Sequence, residues 1–231
     1  MFISLIFPCH NEEQAIPLVI PEALKVKQEL IEKKQIKNLE IIVINDASTD
    51  SSLLKLKKYE KEIKILSLAK QEGYGSALQK AFQQAQGDWL AFCDLDNTCD
   101  PKELSLLIDL AHDQNLTMAW GDRLNKNSQI SFVRKLGNQL YQLAFLILSF
   151  KKIPDPCSGF RLFKKSSFDS VLYKLPKDLS FALALTSHCV RHKIPFQVKE
   201  ISYRDRLGQS KLQPFKDGWI FLIQLVRFLF F

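Results

Sequence analysis

The stretch LEIIVIND, residues 39–46, is a run of β-branched and other apolar side chains that stops at an asparagine and an aspartate. Apolarity without alternation suits a strand buried on both faces, and such strands belong to parallel sheets covered by helices. Upstream, FISLIF (residues 2–7) has the same character and ends at Pro8. Between the two, residues 12–34 carry apolar side chains at helical spacing, with Pro17 and Pro21 expected to confine the regular helix to its later part. The unit is β-α-β.

It repeats downstream. DASTDSSLLKLKKYEK (46–61) predicts a helix with Ser48, Thr49 or Asp50 as N-cap, IKILSL (63–68) a strand, YGSALQKAFQQAQ (74–86) a helix and DWLAFCDLD (88–96) a fourth strand. PKELSLLIDLAHD (101–113) opens with proline at a first helical position, and LTMAWGD (116–122) adds a short strand. Such alternation predicts an α/β fold: a largely parallel central sheet, helices on both faces, right-handed crossovers, and a ligand site at the carboxyl ends of the strands. From about residue 125 the pattern changes. LGNQLYQLAFLILSF (136–150) reads as a strongly apolar helix, KKIPDPCSGF (151–160) as a loop, and a mixed helical region follows to His192. The strand PFQVKEISYRDR (195–206), the polar loop LGQSK (207–211) and the apolar tail WIFLIQLVRFLFF (219–231) complete the chain.

With 231 residues and 46% hydrophobic content, the chain suits one core: a domain over residues 1–212 and an apolar helix over 213–231. The tail falls short of the ~20 residues that a spanning helix needs, and its single arginine among aromatic and aliphatic residues suits an amphipathic helix in a membrane interface. The N-terminus lacks a basic leader and reads as a first strand, not a signal peptide. The net charge of +7 favours anionic partners, while the scatter of its cations argues against nucleic acid. Five cysteines without a CxxC or zinc pattern read as reduced thiols of a cytoplasmic protein. The four histidines have no metal-like spacing.

Asp94 and Asp96 alternate about Leu95 at the end of the fourth strand, so a continuing strand points both toward the same crevice. Two carboxylates there repel one another unless a cation sits beside them, and a hard divalent ion completed by substrate phosphates is the usual arrangement. A purely structural reading, acidic residues that end a strand and cap the helix at Pro101, stays open on these residues alone. FPCHNEE and INDASTD add Asn11, Glu12 and Asp46 at two more strand ends on the same edge.

Taken together, PCHNEE, NDASTD, GYGSALQKAFQQAQGDWLAFCDLDNTCDP, CSGFRLF and RLGQSK, in that order, resemble the motif set of family 2 glycosyltransferases with the GT-A fold. The nearest subgroup is the dolichyl-phosphate mannose synthase-like enzymes. The resemblance implies that Pro8, Glu12 and Asp46 line a nucleoside pocket, with Asp46 accepting from the base, His10 stacking on it, and Gly73 and Gly75 shaping the turn beside it, a plain helix-entry turn being the equal alternative for the two glycines. It implies that Asp94 lies near the ribose and diphosphate and that Asp96 is the main ligand of Mg²⁺ or Mn²⁺, with Asp94 as the second metal carboxylate. Thr98 stands where the subgroup often has glutamine. Arg123, Arg134, Asp155, Ser158, Arg161, Arg206, Ser210 and Lys211 are implied to border the acceptor and phosphate groups, with Asp96, Arg206 and Lys211 central to catalysis. For Asp155 an orienting role is expected over a base, because a phosphate acceptor is already an anionic nucleophile.

The function implied is an inverting, metal-dependent transfer of a hexose from a nucleotide sugar, of GDP-mannose or UDP-glucose type, to a polyprenyl (dolichyl or undecaprenyl) phosphate. The expected place is the inner face of the cytoplasmic membrane, held peripherally, with a membrane-protein partner or a homo-oligomer as further options. Two other functions compete. One is a related transferase acting on a polysaccharide or another alcohol, against which no QxxRW-like segment is found near the C-terminus; the other is a catalytically silent nucleotide-sugar binding module.

Overall fold

The computed structural model describes residues 1–114, 116–124, 130, 132–211 and 214–230; the side chains of 132–134, 214–217, 225 and 228–230 lie outside the description. The strands are β1 (Phe2–Cys9), β2 (Asn38–Asn45), β3 (Lys64–Ser67), β4 (Trp89–Phe92), β5 (Met118–Asp122), β6 (Arg161–Lys164) and β7 (Phe196–Glu200). The helices are α1 (Ile16–Glu32), α2 (Ser52–Lys57), α3 (Tyr74–Gln84), α4 (Leu104–Asp113), α5 (Phe132–Ser149), α6 (Phe181–Arg191) and α7 (Pro214–Phe230). One sheet runs in the order β3-β2-β1-β4-β6-β5-β7. All neighbours pair in parallel except β6, which is antiparallel to β4 and β5.

Both faces of the sheet are covered. Ile3, Leu5 and Phe7 of β1 pack with Val19, Ala23 and Leu30 of α1 and with Leu104 and Leu107 of α4. Ile6, pointing the other way, joins a second layer with Phe82 of α3, Phe92, Phe163 and Phe181. The rings of Phe82 and Phe163 meet edge to face at 5.7 Å, a geometry that adds to plain burial.

Several local readings change. β4 stops at Phe92, so Asp94 and Asp96 lie in the loop beyond it and not on a continuing strand, and β7 stops at Glu200. Pro8 does not end β1; beyond Ile6 only β2 still pairs with the strand, so a residue without a donor is tolerated there. The first helix begins at Ile16 and runs through Pro21, because Pro17 falls in its first turn and the buried face of Ile16, Val19, Ile20, Ala23, Val26 and Leu30 outweighs one lost backbone bond. RLFK forms β6, inserted between β4 and β5, where a loop leading into mixed helix was expected.

The C-terminal segment is helical as α7 and packs on α5 and α6. Phe221 is buried in the second core layer and Tyr141 donates to the Gly218 carbonyl at 3.0 Å. The expected boundary at residues 212 and 213 lies outside the described residues. All five cysteines are free thiols.

Candidate active site

Parallel pairing brings the carboxyl ends of β1, β2 and β4 to one edge. Each is followed by a non-glycine residue in the left-handed region, Asn11 (φ 54°), Ala47 (φ 50°) and Asn97 (φ 70°), which turns the chain sharply. The first two loops are tied together. Asn11 Oδ1 accepts from the backbone N–H groups of Thr49 (2.7 Å) and Asp50 (3.3 Å), while the hydroxyls of Ser48 and Ser52 accept from Asn11 and Glu12 N–H. Asp46, buried behind them, accepts from the N–H groups of Glu72 (2.7 Å) and Gly73 (2.9 Å). Its carboxylate therefore anchors the turn that opens α3, where an acceptor for the base alone was expected. His10 Nδ1 donates to the Asp46 carbonyl at 2.7 Å, which fixes its ring at the edge of the cleft. Gly73, at φ +97°, makes the turn. Gly75 lies under the backbone of Pro176 and Lys177, so its lack of a side chain serves helix-to-loop packing and not the cleft, correcting the nucleotide role expected for it.

At the centre stand four charged groups. Arg206 reaches Asp96 Oδ2 with Nη1 and Glu12 Oε1 with Nη2 (3.0 Å), and Lys211 also pairs with Glu12 Oε1. The loop carrying these cations docks on the aspartate loop through backbone bonds: Leu207 N–H to Asp96 carbonyl and Arg204 N–H to Thr98 carbonyl, both 2.9 Å. Thr98 N–H and Oγ1–H both donate to Asp96 Oδ1. Thr98 thus orients the second aspartate. Asp100 caps the turn at Pro101 by accepting from Lys102 N–H at 2.9 Å, and so stays out of the cleft. Burial pushes the Glu12 carboxyl up to about 7, against the pull of Lys211 and Arg206.

Asp94 accepts from Tyr74 Oη at 2.8 Å, and burial followed by the Asp96 charge pushes its carboxyl up to about 6. Two carboxylates held this close, one aimed and one raised, suit a cation. Among the described residues no group of three or more ligating side chains gathers; Asp94 and Asp96 are the carboxylates that would hold the ion, an oxygen set that fits Mg²⁺ or Mn²⁺ completed by phosphates. Gly159 abuts Asp94: a Cβ there would lie 2.8 Å from Asp94 Oδ1 and 2.7 Å from Cγ. The glycine admits Asp94 itself, where an approach of substrate was expected. Gly159→Ala is expected to displace that carboxylate and lower kcat/KM on the order of 10²-fold with little change in melting temperature. Steady-state kinetics at the parent value would refute this role.

Beyond β4, Asp155 is fully buried and accepts from Arg123 N–H (3.0 Å), Arg123 Nε (2.7 Å), Arg123 Nη2 (2.9 Å) and Asn138 Nδ2. Burial alone would raise its carboxyl, but the Arg123 charge and the hydrogen bonds from Arg123 and Asn138 together outweigh this and hold it below the usual carboxylate range. Ser158 and Arg161, expected at the acceptor, are not placed there. Arg161 is 0% exposed, spends its donors on the carbonyls of Ser158 (2.9 Å) and Pro156 (2.7 Å) and on Thr186 Oγ1 (2.9 Å), and lies 4.8 Å above the Trp120 ring. Burial lowers its guanidinium to about 10, so it remains a cation that stiffens the wall and meets no phosphate. Ser158 is buried and its hydroxyl accepts from Phe160 N–H. The side chain of Arg134, on α5, lies outside the described residues.

The structure brings Pro8, Glu12, Asp46, Asp94, Asp96, Arg123, Arg206, Ser210 and Lys211 around one cleft of about 480 Å³. Asp155 stands behind its wall. Thr98, singled out only as a departure from the subgroup, borders the cleft too, as do Tyr74 and Asn138, which were missed. Tyr74 lies inside the GYGSALQKAFQQAQ motif, but nothing in the sequence marks Asn138.

The chain matches the family model "Glycosyl transferase family 2" over residues 4–172. It is 27% identical over 94% of its length to the low-salt glycan biosynthesis hexosyltransferase Agl6 of Haloferax volcanii, and spans about half (51%) of that relative. It is similar to dolichyl-phosphate β-glucosyltransferases of Dictyostelium discoideum (25% identity, 100% of this chain, 74% of the relative) and Homo sapiens (26%, 92% and 70%). In fold it is similar to crystalline glucosyl-3-phosphoglycerate synthase of Mycobacterium tuberculosis in complex with Mn²⁺ and UDP, with TM-score 0.75 and 16% identity over 99% of this chain and 80% of that one. A sheet with one antiparallel strand, carboxylates at the ends of β1, β2 and β4, and a family model covering most of the chain agree: the protein belongs to glycosyl transferase family 2.

Proposed function

We propose that the protein transfers a hexose from a nucleotide sugar to a polyprenyl phosphate at a membrane surface. The observation that carries this reading is the mixed lining of the cleft. It holds Glu12, Asp94, Asp96, Arg206 and Lys211, and it is also walled by Gly137 and Tyr141 of α5 and by Gly218 and Phe221 of α7. The outward faces of those two helices are apolar. Leu136, Leu140, Leu143 and Ile147 (63% exposed) recur at helical spacing on α5, Trp219 (66%), Leu222, Ile223 and Val226 do so on α7, and Phe150 (89%) follows α5. Lys135, Lys151, Lys152 and Arg227 flank this surface and suit the anionic headgroups of a cytoplasmic leaflet. No described helix is long and apolar enough to cross a membrane. An apolar platform beside the mouth of a phosphate-binding cleft suits a peripheral enzyme whose acceptor is a lipid phosphate. The dolichyl-phosphate β-glucosyltransferases to which the chain is similar support the same acceptor class.

In this reading the nucleoside lies by Pro8, His10 and Asp46. Asp94 and Asp96 would hold Mg²⁺ or Mn²⁺, which supplies electrostatic stabilisation of the departing nucleoside diphosphate. Tyr74 and Thr98 aim those carboxylates. Arg206 and Lys211 offer charge-assisted hydrogen bonds to phosphate oxygens, exchanging Glu12 and Asp96 for them. Asp155, buried and ion-paired, is unsuited to act as a base; it fixes Arg123 at the cleft, and an acceptor phosphate oxygen needs no deprotonation before it attacks the anomeric carbon.

Replacing Leu140 and Leu143 by glutamate tests the lipid half of the proposal. The pair is expected to lower partitioning onto vesicles containing anionic lipid on the order of 10²-fold or more, since each leucine contributes about 1.5 kcal/mol or more when buried. Transfer to vesicle-borne polyprenyl phosphate should fall with it, while the affinity for nucleoside diphosphate stays. Undiminished vesicle binding in a flotation assay would sink the proposed orientation.

A further inference from the structure

Asn138 lies on α5 and borders the cleft, yet its side chain is only 7% exposed. Its Nδ2 donates to Asp155 Oδ1. An ion-paired carboxylate only accepts, so the amide is fixed with its NH₂ toward Asp155 and its oxygen turned away. That oxygen, Oδ1, is buried and has no hydrogen-bond partner among the described residues. Buried acceptors without a donor are rare in folded proteins, and one beside a ligand cleft points to a group that arrives with the ligand.

The chemistry of that group is restricted. An amide oxygen needs a donor, so phosphate oxygens and a prenyl chain offer it nothing. The sheet order restricts it further. Pro8 and His10 stand at the carboxyl end of β1 and Asp46 follows β2, Asp94 and Asp96 follow β4, and Asn138 is held by Asp155, itself paired with Arg123, on the β6 and β5 side. With the nucleoside at β1 and β2 and the diphosphate at β4, the next group along the cleft is the hexose, whose hydroxyls are donors. We propose that Asn138 Oδ1 accepts a hydrogen bond from a ring hydroxyl of the donor hexose, and that the Arg123–Asp155–Asn138 chain holds it as a sugar-specificity residue. The inference rests on the nucleotide-sugar reading above.

The test titrates the parent and Asn138→Leu by calorimetry with UDP-glucose, GDP-mannose and the matching nucleoside diphosphates, then with monodeoxy analogues of whichever donor binds. The variant should bind the nucleotide sugar about 10-fold more weakly and the nucleoside diphosphate unchanged. One deoxy analogue should bind the parent as weakly as the intact donor binds the variant, and the variant should no longer tell the two apart. Asn138→Ala, which leaves Asp155 with Arg123, repeats the measurement without added bulk. Equal losses for nucleotide sugar and nucleoside diphosphate would make the residue structural and overturn the proposal, as would no loss at all, which would mean that water alone completes the amide. A parent that binds nucleoside diphosphate but no nucleotide sugar overturns the functional reading, and this inference with it.

Discussion

Asp96→Ala is expected to lower the rate of sugar transfer by about 10³-fold or more while leaving a folded protein. Asp96 is 5% exposed in the loop after β4, where Thr98 fixes one carboxylate oxygen and Arg206 takes the other. Removing it deletes a carboxylate proposed to hold the metal and frees Arg206, whose remaining partner is Glu12. In the proposed mechanism both losses fall on groups that stabilise the leaving diphosphate, so the effect should appear mainly in kcat. The fold rests on the two apolar layers and should lose no more than about 1–3 kcal/mol from unpaired polar atoms. Circular dichroism with a transfer assay separates the two outcomes. A variant that keeps full metal-dependent transfer would remove Asp96 from the mechanism.

The largest effect on stability is expected from Asp155→Ala. The carboxylate accepts four hydrogen bonds, three of them from Arg123, and none of its surface meets water. Taking it away leaves a largely buried guanidinium, 15% exposed at the cleft, without its counter-charge, a change that costs about 3–5 kcal/mol. At about 2–4 °C per kcal/mol for a chain of this size, the melting temperature should drop by roughly 6–20 °C. Changing both partners to apolar residues, Arg123→Met with Asp155→Leu, should recover much of the stability and none of the activity, because Arg123 also lines the cleft. A melting temperature for Asp155→Ala within about 3 °C of the parent would show that water reaches Arg123 freely.

Much of this was legible in the chain. Long apolar runs ended by polar turns carry their own signal, so β1, β2 and β4 and the acidic loops after them could be placed on one edge from LEIIVIND outward. β6 gave no such signal: RLFK is four residues long, begins and ends with a cation, and gains its status only from the neighbours on either side. Pro21 misled because the burial of one helix face is a tertiary effect that a local rule does not contain. Among site residues, the strand-end carboxylates follow from topology, whereas Arg161 reads as a surface or phosphate cation until its stacking on Trp120 and its carbonyl partners are seen. Asn138 is the opposite case, an unremarked polar residue in an apolar helix whose proposed role comes from an oxygen left without a donor among the described residues.

The central claim, a nucleotide-sugar site opening onto a lipid surface, is tested most directly by one measurement. The protein is incubated with a radiolabelled nucleotide sugar and undecaprenyl or dolichyl phosphate in vesicles, with Mg²⁺ or with a chelator, and the lipid is extracted into organic solvent. Label should enter the organic phase from at least one donor, only with the metal present, and should be lost with Asp96→Ala. Absence of extractable label from every donor, or label that instead appears on a soluble alcohol or polysaccharide acceptor, would contradict the account.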